Sequence, residues 1–165
     1  MNLLEISIKE NMVLKKVYVD GACSNNGKIN AKSGIGVYFG NKDNRNVSAY
    51  LKNGKHTNNR AELMAILVVL KIIFVTDKSV DYIICTDSKY SIDCSTIWIH
   101  KWKNNDWRTT NNKPVQNQEI IEKIYDMLKI LNNVKFLHVK GHSNGKDRDS
   151  IGKRKADALA VKSIR

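Results

Sequence analysis

"KKVYVDGACSNNGKINAKSGIGVYFG", residues 15–40, decides the class of fold. Its opening, "KKVYVD" at 15–20, alternates polar and apolar and reads as a strand ending at Asp20. "GACSNNGKINAKSG" at 21–34 is crowded with turn residues. "GIGVYFG" at 34–40 is a second strand and "NVSAYL" at 46–51 a third. Connections this short join antiparallel neighbours. Downstream the rhythm changes. A helix is expected from about Asn59 to Phe74, then a short apolar strand, "DYIIC" at 81–85. "TDSKYSIDCSTIWIHKW" at 86–102 reads as helical, as does 115–131, where Ile120, Ile124, Met127 and Leu131 form one stripe. "VKFLHV" at 134–139 is a last strand and "GKRKADALAVKSI" at 152–164 a closing helix. Hairpins followed by strand–helix alternation predict an α/β chain: a mixed sheet covered by helices.

Four acids stand in places that ask for a reason. In "HTNNRAEL", residues 56–63, Glu62 lies at the mouth of the apolar run "LMAILVVLKIIF". Asn59 as N-cap with Glu62 three residues on would form a capping-box-like pair. Asp20 before Gly21 suits a turn, and Asp87 suits an N-cap. Asp157 shares a helical stripe with Ala160, Val161 and Ile164, where a charge is costly unless it is paired, bound to a metal or able to reach water. In an open α/β sheet such positions converge near the strand ends. Clustered carboxylates repel and raise one another's pKa. A divalent cation relieves this, and hard oxygen ligands select Mg²⁺ or Mn²⁺ over Zn²⁺. Two such ions clamp the attacking and leaving oxygens of a phosphodiester.

Composition narrows the partner. Of 165 residues, 28 are Lys or Arg and 16 Asp or Glu, a net charge of +12, and a domain this basic points to nucleic acid. Cys23, Cys85 and Cys94 form no CxxC pair, which argues against zinc and for reduced thiols in an intracellular protein. The start "MNLLEISIKENM" is not a signal peptide, and no stretch approaches the roughly 20 apolar residues of a membrane helix. One domain is expected over 1–165, with a core at about 15–163 and a short extension at 1–14. No obligate protein partner is evident, so a monomer is expected.

The fragments "DGACSNNG", "GIGVYFG", "TNNRAELMA", "CTDSKY", "WIHKWKNNDWRTTNNKPVQN", "VKGHS" and "KADALA" occur in the order of type 1 ribonuclease H, which the chain resembles from about Lys16 to Val161. The glycine-rich strand and "CSNNG" are closer to its eukaryotic and viral-like branch. The resemblance implies a ribonuclease H-like fold, a five-stranded mixed sheet with three antiparallel and two parallel strands flanked by helices. It implies hydrolysis of RNA paired to DNA with two Mg²⁺ ions, or Mn²⁺ in their place, leaving 3′-hydroxyl and 5′-phosphate ends. Asp20, Glu62, Asp87 and Asp157 occupy the metal-ligand positions. His142 matches a mobile histidine that shuttles protons or helps product leave, whereas His138 reads as structural. Asn58 and Asn59 match amides that read the minor groove and the 2′-hydroxyl, the group that separates RNA from DNA. Cys23, Ser24 and Asn25 match a loop with the same duty, although plain turn chemistry fits them too. Lys55, Thr57 and Asn117 match a pocket gripping one DNA phosphate, with lysine standing where arginine is frequent. Trp98 and Trp102 match the channel for the DNA strand, and Thr110 joins the substrate contacts.

Two departures stand out. With only about fifteen residues before the first strand, the separate hybrid-binding domain that often precedes the catalytic one in eukaryotic members is expected to be absent. The stretch between His142 and Asp157 also looks longer than usual. From Ser143 to Lys155 it carries Lys146, Arg148, Lys153, Arg154 and Lys155 against Asp147 and Asp149. It reads either as a solvated loop or as a loop whose cations touch substrate phosphates. Two other classes stay open: a non-catalytic hybrid- or duplex-binding module, and a related nuclease such as an integrase or junction resolvase. The four acids argue against the first, and the "TNNR" amides and tryptophans against the second.

Overall fold

A computed structural model describes residues 14–77 and 79–165. The short extension expected at 1–14 lies, except for Leu14, outside the described residues. Five strands are formed: β1 (Leu14–Ser24), β2 (Lys32–Tyr38), β3 (Val47–Tyr50), β4 (Asp81–Thr86) and β5 (Val134–His138). They make one sheet in the order β3-β2-β1-β4-β5. β1 pairs antiparallel with β2, and β2 with β3, whereas β1–β4 and β4–β5 are parallel. This is the mixed five-stranded sheet expected. The helices are α1 (Asn58–Thr76), α2 (Lys89–Asp93), α3 (Ile99–Lys103), α4 (Gln118–Ile130) and α5 (Arg148–Lys162), with a π-helical turn at Cys94–Trp98. No helix among the described residues is long and apolar enough to cross a membrane.

Side-chain parity on β1 assigns the two faces of the sheet. Val17 and Val19 point into the main core, against Leu63, Ile66, Leu70 and Ile73 of α1, all fully buried. α1 is apolar on most sides because it lies between the sheet and α4. Each fully buried Leu or Ile contributes about 1.5–3 kcal/mol. Tyr18 points the other way, into a smaller cluster with Cys85, Val139 and Ala156 of α5. Two glycines set how closely these helices approach. A Cβ at Gly21 would lie 2.3 Å from the Glu62 amide nitrogen, so only glycine lets β1 touch the first turn of α1. A Cβ at Gly36 would lie 2.0 Å from the Ala156 carbonyl oxygen, so α5 rests directly on β2.

Several boundaries differ from the sequence reading. β1 continues to Ser24, so Asp20 is mid-strand, opposite Gly36, and Cys23 and Ser24 are strand residues. The hydrogen bonds of β2 outweigh the turn propensity of "GACS". Thr57, not Asn59, caps α1, accepting from the Arg60 amide at 3.2 Å. Glu62 therefore takes no part in a capping box. Ser88, not Asp87, caps α2. The helix expected over 86–102 forms from Lys89 and runs without a gap through α2, the π-turn and α3. α5 begins at Arg148, capped by Asp147, so the expected loop over 143–155 is half helix.

Candidate active site

The register of parallel strands brings the first two acids together. Tyr18 of β1 lies beside Cys85 of β4. Two residues further along both chains, with the same parity, come Asp20 and Asp87, facing α5. Asp87 sits just past the end of β4, where the His138 ring donates from Nε2 to its carbonyl oxygen at 3.0 Å. This bond ties the His138 ring to the chain just past β4. The Gly21 contact brings in Glu62 from α1 on the opposite face. Ligand atoms of Asp20, Glu62 and Asp87 all lie within 4.8 Å of one another. Asp157, half-buried on α5, is not part of this close group; it borders the same cleft as Asp87, His142 and Ser143. His142 is exposed, with a left-handed φ of 48°.

The trio is electrostatically loaded. Asp20 is only 5% exposed. Burial raises its pKa, against the pull of Lys153. Glu62 is driven well above the usual carboxylate range, first by burial and then by the charge of Asp20. Its Oε2 is buried with no hydrogen-bond partner. Between the acids lies a cation the sequence reading had placed among loop residues. Lys153, 4% exposed, puts Nζ 2.5 Å from Asp20 Oδ1 and 2.9 Å from Asp87 Oδ1. Burial alone would lower its pKa, but Asp20, Glu62 and Asp87 raise it overall. The expectation that Lys153 reaches substrate from a loop is therefore corrected. Arg154 is likewise engaged internally, donating to the carbonyls of Ser143 at 2.7 Å and Gly145 at 2.8 Å. One signal was available: Lys153 precedes Asp157 by one helical turn on the same stripe. Hard oxygen donors converging at one point, one of them buried and unpartnered, fit a divalent cation.

Two further groups flank the acids. Lys55, Thr57 and Asn117 do line one pocket, together with Arg60 and Gln116, which the sequence reading missed. Arg60 belongs there because it follows its cap, Thr57, by three residues. Its Nη1 lies 2.5 Å from Glu119 Oε1 and 3.4 Å from Asn117 Oδ1. Asn58 and Asn59 are exposed on the first turn of α1, where the Asn58 amide donates to Asn26 Oδ1 at 3.0 Å. This bond draws the turn after Cys23 and Ser24, with exposed Asn25 at φ 52°, towards α1. The tryptophans divide. Trp98 is 36% exposed, and its ring centroid lies 5.8 Å from that of Trp102. Trp102 and Trp107 pack on the main core. Thr110 is exposed at the tip of the turn between Thr109 and Asn112.

A mixed five-stranded sheet with acids from β1, β4 and α1 meeting at one rim is the architecture of ribonuclease H-like proteins. The solution structure of the PFV RNase H domain superposes with a TM-score of 0.70 at 21% identity, over 94% of this chain and 97% of that one. The RNase H family model matches residues 13–165. A ribonuclease H of Schizosaccharomyces pombe is 44% identical over 87% of this chain and 50% of its own length. One of Bartonella quintana is 36% identical over 90% of this chain and 88% of its own. The chain belongs to the RNase H family. It spans about half the length of the curated eukaryotic relatives it matches.

Proposed function

We propose that this chain is an endonuclease that hydrolyses the RNA strand of RNA–DNA hybrids, leaving 5′-phosphate and 3′-hydroxyl ends. The observation that carries the reading is the close trio of buried Asp20 and half-buried Glu62 and Asp87, with its unpartnered Glu62 oxygen, in a chain that also presents a basic pocket and an exposed tryptophan. A pure binding module gains nothing from acids facing phosphate. Asp20, Glu62, Asp87 and Asp157 would hold two Mg²⁺ ions, or Mn²⁺ in their place. When bound, such ions activate a water and neutralise charge on the phosphodiester.

The chain's own residues do the rest. Asn58, Asn59 and the Cys23–Asn25 segment read the 2′-hydroxyls of the RNA strand. Lys55, Thr57, Asn117 and the two added pocket residues hold a DNA phosphate, and Trp98 with Thr110 orients the DNA strand. His142, exposed at the cleft mouth, moves protons or eases product release. The protein acts as a monomer inside the cell, where its three free cysteines stay reduced. Incubation of labelled RNA–DNA, DNA–DNA and RNA–RNA duplexes with Mg²⁺, and again with EDTA, tests the reading. Cleavage confined to the hybrid and abolished by EDTA is expected; cleavage of all three, or of none, overturns it.

A further inference from the structure

Lys153 lies on the buried stripe of α5, with Gly152, Ala156 and Ala160. Sequence patterning would place a small or apolar side chain there. Instead an ammonium, almost sealed from water, bridges Asp20 and Asp87. A buried charge of this kind persists only where opposite charges face it. Here they do, and the position it occupies is the one a divalent cation would take between the same oxygens. We propose that Lys153 is a built-in counter-ion, which neutralises the acid trio in the metal-free protein and must leave it before a divalent cation binds. The proposal rests on the metal-binding reading of the trio.

The structure supplies the means for this exchange. The lysine stem springs from a helix held against β2, so its ammonium returns to the trio whenever the cation departs. The cleft it lines opens past Ser143 and the exposed His142, so the displaced ammonium has a path to water. Two monovalent-to-divalent states follow. Without metal, three crowded acids share one internal positive charge and the site keeps its shape. With metal, that charge is released to the cleft mouth. Because the two cations exclude each other, apparent metal affinity equals the intrinsic affinity multiplied by the fraction of molecules in which Lys153 has already vacated the site.

The test needs no substrate. Mn²⁺ binding is titrated calorimetrically to wild type, Lys153→Gln and Lys153→Met, and melting is followed in EDTA and in Mg²⁺. Both variants are expected to bind Mn²⁺ about tenfold tighter, a coupling of ordinary size. They should melt lower than wild type in EDTA and gain more from Mg²⁺. Independently of any variant, the ¹⁵N-ammonium signal of Lys153 in the wild-type protein should be visible in EDTA and lost on saturation with Mg²⁺. Affinity that is unchanged or weaker in folded variants, or an ammonium signal that persists at saturating Mg²⁺, overturns the proposal and leaves the metal site standing. Wild type that binds neither cation overturns both.

Discussion

Asp20 and Lys153 show how far a single residue's meaning depends on its neighbours. Asp20 alone suited a turn before Gly21 and became legible as special only in company with Glu62, Asp87 and Asp157. Lys153 was not legible, because in sequence it is one cation in the run "GKRK" and such runs are usually solvated. Replacing Asp20 with Asn removes one charge from the trio and leaves the binding surface untouched. Cleavage of a hybrid is expected to drop by roughly a thousandfold, about 4 kcal/mol of barrier, with hybrid affinity kept or improved. A gel-based cleavage assay beside a binding titration checks both halves. Asp43 offers a contrasting residue without catalytic duty. Arg45 donates to it from Nε at 2.9 Å and Nη2 at 2.6 Å and lies over the Phe39 ring. These bonds pull its pKa down to about 2. A depressed carboxylate stabilises the fold above its unfolded pKa and loses that contribution as pH falls through the folded one. Asp43→Asn should therefore cost roughly 1 kcal/mol at neutral pH, allowing for partial exposure of the pair. The gap from wild type should close as pH falls towards 2, as urea melts across pH will show.

At the scale of elements, the start of α1 carries two separable duties. Thr57 is the cap, and the amides after it point to solvent. Thr57→Ala is expected to lower stability by about 1 kcal/mol, as the loss of a side-chain cap usually does. Asn59→Ala should leave melting nearly unchanged and weaken discrimination between RNA–DNA and DNA–DNA duplexes. If Asn59→Ala lowers melting as far as Thr57→Ala does, the division fails. The tryptophans also divide by duty. The π-turn ends at Trp98, which is 36% exposed, while Trp102 one α-helical turn later packs on the main core. Trp98→Ala should weaken hybrid binding roughly tenfold, about 1.4 kcal/mol, without lowering stability. Trp102→Ala should instead destabilise the protein by roughly 3 kcal/mol. Cap and π-turn alike were beyond the sequence reading, since Thr57, Asn58 and Asn59 are all acceptable caps and periodicity cannot locate one inserted residue.

Across the whole molecule, a net charge of +12 predicts that hybrid affinity falls steeply with salt. Its distribution decides which cations matter. Lys55→Ala, in the basic pocket, is expected to flatten the log–log salt dependence by about 0.9. Lys16→Gln should leave it unchanged, because Lys16 sits four residues down β1 from Asp20 and is paired with Asp149 at 2.9 Å. Anisotropy titrations over a range of salt separate the two. What the sequence by itself determined was the alphabet of the fold and a short set of candidate acids, three of which the structure brings together. Alternation marked the strands, apolar stripes marked the helices, short turns made the first strands antiparallel, and four spaced carboxylates marked out a candidate site. These are local signals, set by period, propensity and turn length. Only the tertiary structure decided which groups meet. The parallel register of β1 and β4 set Asp20 beside Asp87. The missing Cβ of Gly21 admitted Glu62, and that of Gly36 let α5 come close enough to lodge Lys153 among them. Such contacts join residues far apart in the chain, and their energy depends on burial and neighbouring charge, which no local pattern records.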